Sequence, residues 1–169
     1  MSFLWKAILV KLKHASGRMS AWGIGPKFAI ISLVIGIVTI IANDYFFSAL
    51  ILRYNPFIFS CGVALILLGI AICLIATVQV HEAFNQGKLI TSGIYAYVRN
   101  PVYAVWILLI MPGLILVTGF LLLIVMPFVM YALIGILIVE EDEYLEQKFG
   151  EEYLEYKKRV NSIIPKLTS

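Results

Sequence analysis

Charge is what this chain has least of. Only 14% of its 169 residues are charged, and long stretches carry no charge at all. Tyr54 to His81 has none, the forty residues from Asn100 to Val139 have none, and between Lys27 and Arg53 the single charge is Asp44. Hydrophobic residues make up 62%, where about 45–50% is usual in soluble domains, and the mean hydropathy is +0.96. Crossing roughly 30 Å of hydrocarbon takes about twenty apolar residues, so these stretches hold one, one and two helices. Such a composition excludes a disordered chain and a nucleic-acid binder. Cysteine is equally scarce. Cys61 and Cys73 fall in one expected helix, about 18 Å apart along its axis, too far to bridge. Nothing suggests a metal site. The first residues scatter lysines among apolar side chains with no small-residue cleavage site after them, so no cleavable signal peptide is expected.

The cations that do occur are segregated. Lys6, Lys11, Lys13, Arg18 and Lys27 precede the first span, Lys88 and Arg99 lie between the second and third, and Lys148, Lys157, Lys158, Arg159 and Lys166 follow the fourth. Twelve of thirteen therefore share one side, with Arg53 alone opposite. Positive charge marks the cytoplasmic side, so both termini and the loop 81–100 are expected there.

The expected architecture is one all-α integral membrane domain over residues 1–169, with four transmembrane helices. Residues 1–26 form an N-terminal interfacial segment, in which Leu4, Trp5, Ile8 and Leu12 recur at helical spacing over 2–14. Residues 27–80 carry the first two spans, about 28–47 and 56–80, with 45–52 either extending the first or folding along the outer interface. Residues 81–165 carry the polar motifs. Gly23-Ile-Gly25 follows no strand, so it reads as a hinge and not a dinucleotide fingerprint. Gly62 and Gly69 suit close helix approach, Thr118-Gly119 a hairpin turn, and Pro112 and Pro127 kinks. After Glu140-Glu-Asp-Glu143 the last span continues out of the bilayer. A cytoplasmic C-terminal helix follows Gly150, with Tyr153, Tyr156 and Val160 on one face.

The bilayer core holds no ionisable residue to line an ion path, which argues against a pump or channel. Polar residues gather instead at the cytoplasmic mouth, in 81–103 and 140–160. Asn100-Pro101 reads as a helix start, Asn as N-cap and Pro as first residue. Its free N–H groups attract carboxylates, and Arg99 adds a charge beside them.

The stretch Leu89-Ile-Thr-Ser-Gly-Ile-Tyr95-Ala-Tyr-Val-Arg99-Asn-Pro-Val-Tyr103 resembles the signature of the isoprenylcysteine carboxyl methyltransferase family, to which phospholipid N-methyltransferases are related. The tail resembles it as well: Glu140-Glu141, Leu145, Phe149-Gly150, Tyr153, Tyr156, Val160 and Ile164-Pro165 keep its order and spacing. The resemblance covers roughly 79–165; the first half is similar only in having spans. It implies a membrane methyltransferase that takes S-adenosylmethionine as cosubstrate, without metal, in a cytoplasmic pocket. A hydrophobic, lipid-like acceptor would reach it from the bilayer. Carried over by position, Lys88, Leu89 and Ile90 contact the donor largely through backbone, Tyr95 through its ring, with Asn100, Pro101 and Tyr103 on the same side. Glu141 faces them with Glu140 beside it. Arg99 and Glu141 are the candidate catalytic residues. The chain departs from the family in having Asn100 where histidine is frequent, Gly87 where a histidine often stands eight residues before Tyr95 (His81 is not its equivalent), and Leu137 where prenylcysteine enzymes place an arginine.

The reading that follows is O- or S-methylation of a hydrophobic or prenyl-type acceptor. Its alternative is N-methylation of a lipid amine, which needs a base, for which Glu140, Glu141 and Tyr95 are candidates. A non-catalytic membrane scaffold or carrier is the third.

Overall fold

The computed structural model describes residues 23–46 and 54–165. The interfacial helix expected over 2–14, and most of the 45–52 question, lie outside the described residues. Among the described residues four helices are long and apolar enough to span a bilayer: α1 (Gly25–Phe46), α2 (Pro56–Asn85), α3 (Pro101–Thr118) and α4 (Leu121–Phe149). A fifth, α5 (Glu151–Arg159), packs against the end of α4. The all-α expectation holds.

Local chemistry sets the helix ends. Asn55 Oδ1 accepts from Phe57 N–H (2.9 Å) and Ile58 N–H (3.2 Å), capping α2 ahead of Pro56. At its other end α2 runs five residues past the expected Val80. Thirty residues make it about 45 Å long, more than the roughly 30 Å of hydrocarbon, so its last turns carry Thr77, His81 and Phe84 to the polar end of the bundle. Gly119 ends α3 with φ +72, the left-handed turn that Thr118-Gly119 suggested.

The two prolines act differently from each other. Pro112 has no N–H to offer, and the preceding turn, Trp106–Ile110, widens to a π-helix in which Met111 N–H reaches Trp106 O. Pro127 instead follows a change of helix type. It sits in the first turn of the regular helix Met126–Phe149, where a missing N–H costs nothing, after a 3-10 turn over Leu121–Val125.

α2 lies along α3 at glycine contacts. A Cβ on Gly62 would stand 2.8 Å from Gly113 O, and one on Gly69 would stand 2.7 Å from Ile110 Cγ1. The two expected small residues thus work with a third, Gly113. α1 is tied to α4 at both ends, by Lys27 Nζ on Glu140 Oε2 (2.7 Å) and by Leu122 N–H on the fully buried Asn43 Oδ1 (3.2 Å). The core between them is apolar, built on Phe28, Met111, Met126, Met130 and Ile134. The apolar part of α4 ends at Val139, and 140–149 project past the membrane boundary. There Tyr153, Tyr156 and Val160 of the C-terminal segment bury against Leu89, Leu145 and Phe149.

Candidate functional site

A cavity of about 210 Å³ opens where these polar segments meet. Gly25 contributes from the start of α1, Thr77, Val80, His81 and Phe84 from the end of α2, and Lys88, Leu89, Ile90 and Tyr95 from the loop. Asn100, Pro101 and Tyr103 enter from the start of α3, Glu141, Tyr144 and Lys148 from α4, and Tyr153 and Tyr156 from α5. Six segments of the chain thus converge on one space.

Glu141 is its half-buried carboxylate. Burial pushes it up to about 7, and the charge of Asp142 adds to this. The Tyr103 hydroxyl, which donates to Glu141 Oε2 (3.4 Å), the Ile24 N–H and the more distant Arg99 work in the opposite direction. No cation pairs with Glu141 among the described residues. Gly23 and Ile24 form a turn directly over this carboxylate: Gly23 has φ +52, and a Cβ there would stand 2.9 Å from Glu141 Oε1. The glycine pair read as a hinge is therefore a close-packed cover. A side chain would collide with the site, and the positive φ disfavours one in any case.

Tyr95 is buried in a short 3-10 turn, Gly93–Ala96. Its hydroxyl donates to Ala76 O (3.2 Å), and its carbonyl accepts from the Tyr156 hydroxyl (2.7 Å). Burial raises the pKa of both phenols above the ordinary tyrosine value, so both stay protonated. Tyr95 thus lines the cavity with its ring while its polar atoms fasten the loop to α2 and α5.

Arg99 lines the cavity too, but its charge is turned aside. Nη1 donates to Asp142 Oδ1 (2.9 Å) and to the Tyr153 hydroxyl (2.7 Å), and Nε donates to Val160 O (3.1 Å). Tyr153 also donates to Asp142, which Lys157 meets from the other side (2.8 Å). Asn100 occupies the cap position of α3 without capping it. Its backbone is neither helical nor fully extended (ψ 67), it makes no capping hydrogen bond, and Nδ2 donates to Ser162 Oγ (3.1 Å). Backbone N–H groups of Arg99 and Asn100 donate to Asn161 O and Ser162 O, so the C-terminal segment is strapped onto the loop.

Of the expected site residues, Lys88, Leu89, Ile90, Tyr95, Arg99, Asn100, Pro101, Tyr103 and Glu141 all border the cavity. Glu140 does not; it pairs with Lys27 on α1. His81, Phe84, Tyr144 and Lys148 border it without having been singled out. His81 and Phe84 lay in what read as loop, and no local pattern marks α2 as longer than its apolar run.

Comparisons with known proteins bear on the family and the fold. The family model described as the isoprenylcysteine carboxyl methyltransferase family matches residues 62–147. The chain belongs to that family. It is 26% identical over 148 residues to protein-S-isoprenylcysteine O-methyltransferase B of Arabidopsis thaliana, covering 82% of this chain and 74% of that protein. It is 35% identical over 77 residues to protein-S-isoprenylcysteine O-methyltransferase of Schizosaccharomyces pombe, covering 46% of this chain and 33% of that one. Among solved structures it resembles the eukaryotic intramembrane Ras methyltransferase, isoprenylcysteine carboxyl methyltransferase, solved without a monobody. The TM-score is 0.61 and the identity 25%, over 83% of this chain and 52% of that one. The chain thus spans about half of the solved protein's length. Family membership and four apolar helices make it an integral multi-pass membrane protein of a methyltransferase family. The match also begins earlier than the motifs did, inside α2, so the likeness is not confined to 79–165.

Proposed function

We propose that this protein transfers a methyl group from S-adenosylmethionine to the carboxylate of a hydrophobic, isoprenylcysteine-type lipid, at the cytoplasmic face of its membrane. The observation that carries the reading is Glu141, a carboxylate that faces an aromatic cavity and has no cation partner among the described residues. A desolvated carboxylate held up to about 7 is a site for a cation to complete. S-adenosylmethionine fits: its ammonium or ribose hydroxyls suit Glu141, and the tyrosine rings around the cavity suit a sulfonium. When bound, it supplies a methyl carbon on sulfur, which an acceptor oxygen takes in line while the C–S pair stays on sulfur.

The chain's own part is positioning and exclusion of water. Tyr103 and the Gly23–Ile24 turn fix the Glu141 carboxylate, and the strap through Arg99 and Asp142 holds the loop residues Lys88 to Tyr95 against it. Arg99 enters the proposal as a positioning residue. A cationic donor and an anionic acceptor neutralise each other as they react, so a dry cavity favours their meeting. A carboxylate acceptor needs no base. The relatives, named as O-methyltransferases of isoprenylcysteine proteins, support this acceptor class, and twelve of thirteen cations on one side support the cytoplasmic orientation. One observation favours the lipid amine as a second reading: a carboxyl near 7 is suited to take a proton.

The test is calorimetry with the purified full chain. Glu141→Gln is expected to weaken S-adenosylmethionine binding by about ten- to a hundredfold, the loss of a charge-assisted hydrogen bond. Equal affinity in the variant, or no binding by the wild type, contradicts the proposal.

A further inference from the structure

We infer that Lys148 is the cation that holds a carboxylate in this cavity. The inference rests on the methyl-transfer reading for the identity of the ligands, but its evidence is separate. Among the described residues three formally charged cations border the cavity: Lys88, Arg99 and Lys148. The Arg99 guanidinium is taken by Asp142, Tyr153 and Val160 O. Leu137, one helical turn deeper than Glu141, offers only apolar surface.

Lys148 is different from both other cations. Its Nζ lies 5.1 Å from the ring centroids of Phe84 and Phe149, and 5.9 Å from that of Tyr144. These rings come from α2 and α4, so the ammonium is seated across the cavity mouth between the two helices. Aromatic faces attract a cation without neutralising it. All ten acidic side chains of the protein lie within the described residues, and none forms an ion pair with Lys148. Among the described residues no contact of this kind fixes the ammonium of Lys88. Lys148 also follows Glu141 by seven residues, two turns on the same helix face and about 10 Å along the axis. The cavity therefore presents a carboxylate deeper in and an ammonium at its mouth.

The ligand group that suits Lys148 is a carboxylate. The proposed reaction brings two into the cavity, the amino-acid carboxylate of the donor and the head of the acceptor. Two ligand pairs that differ in this group separate them: S-adenosylmethionine with its decarboxylated form, and N-acetyl-S-farnesylcysteine with its amide. Binding of each is measured by calorimetry on the full-length wild type, Lys148→Gln and Lys148→Arg. In the wild type, at least one pair is expected to favour the carboxylate. In Lys148→Gln that preference collapses, with the carboxylate ligand weakened about tenfold or more and the neutral one unchanged. Lys148→Arg keeps it. The pair that collapses identifies the source.

If Lys148→Gln does not fold, Lys148→Met, which keeps an apolar stem among the rings, carries the same expectation. A wild type without carboxylate preference in either pair overturns the inference, as does a preference that survives in Lys148→Gln. A wild type that binds no S-adenosylmethionine overturns the proposed function alone, and the farnesylcysteine pair then decides Lys148.

Discussion

Arg99 Nη1 lies 2.9 Å from Asp142 Oδ1, joining the loop before α3 to the end of α4 across forty-three residues. Both side chains are nearly out of solvent, at 9% and 13% exposure. With Tyr153 shared between them, the pair is the knot of the strap that closes the cavity. Removing Asp142 leaves the Arg99 charge nearly buried and without a carboxylate, which costs about 3–5 kcal/mol, whereas removing Arg99 costs less because Lys157 still meets Asp142. Asp142→Ala and Arg99→Ala are each expected to lower the melting temperature in detergent by several degrees. Because the two share one interaction, the double variant should lose much less than the sum of the singles. Additive losses would show that the two residues act separately.

Gly23 makes a prediction that its position in the sequence does not suggest. An alanine there meets a left-handed backbone, which costs about 1–2 kcal/mol, and its Cβ stands 2.9 Å from Glu141 Oε1. Gly23→Ala is expected to weaken donor binding about tenfold, whereas Gly87→Ala, with nothing within 4 Å of its Cβ and a similar φ of +65, supplies the backbone control. Equal effects at the two positions would remove the contact with Glu141 from the explanation.

Acid should weaken donor binding through Glu141. Its pKa is raised to about 7 in the free protein, and a cationic ligand needs the ionised form. Affinity for S-adenosylmethionine is therefore highest above 7 and falls as pH drops through it, by up to about tenfold per pH unit, with proton release on binding near neutrality. In Glu141→Gln this slope should vanish. A wild-type profile flat between pH 5 and 8 would assign the ligand's cation to another partner.

How much of this was legible in the sequence follows from the range of each interaction. The spans, the α3–α4 turn at Gly119 and the buried face of Tyr153, Tyr156 and Val160 follow from composition and local periodicity. Pairings between distant residues do not. Arg99 reads as a free charge until Asp142 is folded against it, and Asn100 reads as a cap until Ser162 takes its side chain. Gly23 reads as a break because nothing nearby in the chain says that Glu141 lies beneath it. Glu140 is different, since helix geometry alone could have separated it. Adjacent helical residues point about 100° apart, so Glu140 and Glu141 could not both face the cavity, and Glu140 instead faces Lys27 on α1.

The most direct measurement is methyl transfer itself. The purified full chain in lipid vesicles is given S-adenosylmethionine with a labelled methyl group and N-acetyl-S-farnesylcysteine, and the lipid product is treated with alkali. An ester gives up its methyl as methanol, whereas a methyl on nitrogen or on a thioether stays in place. Volatile, alkali-released label in the lipid product, lost in Glu141→Gln, is the predicted result. Alkali-stable label in the lipid, or none, would contradict carboxyl methylation by this site.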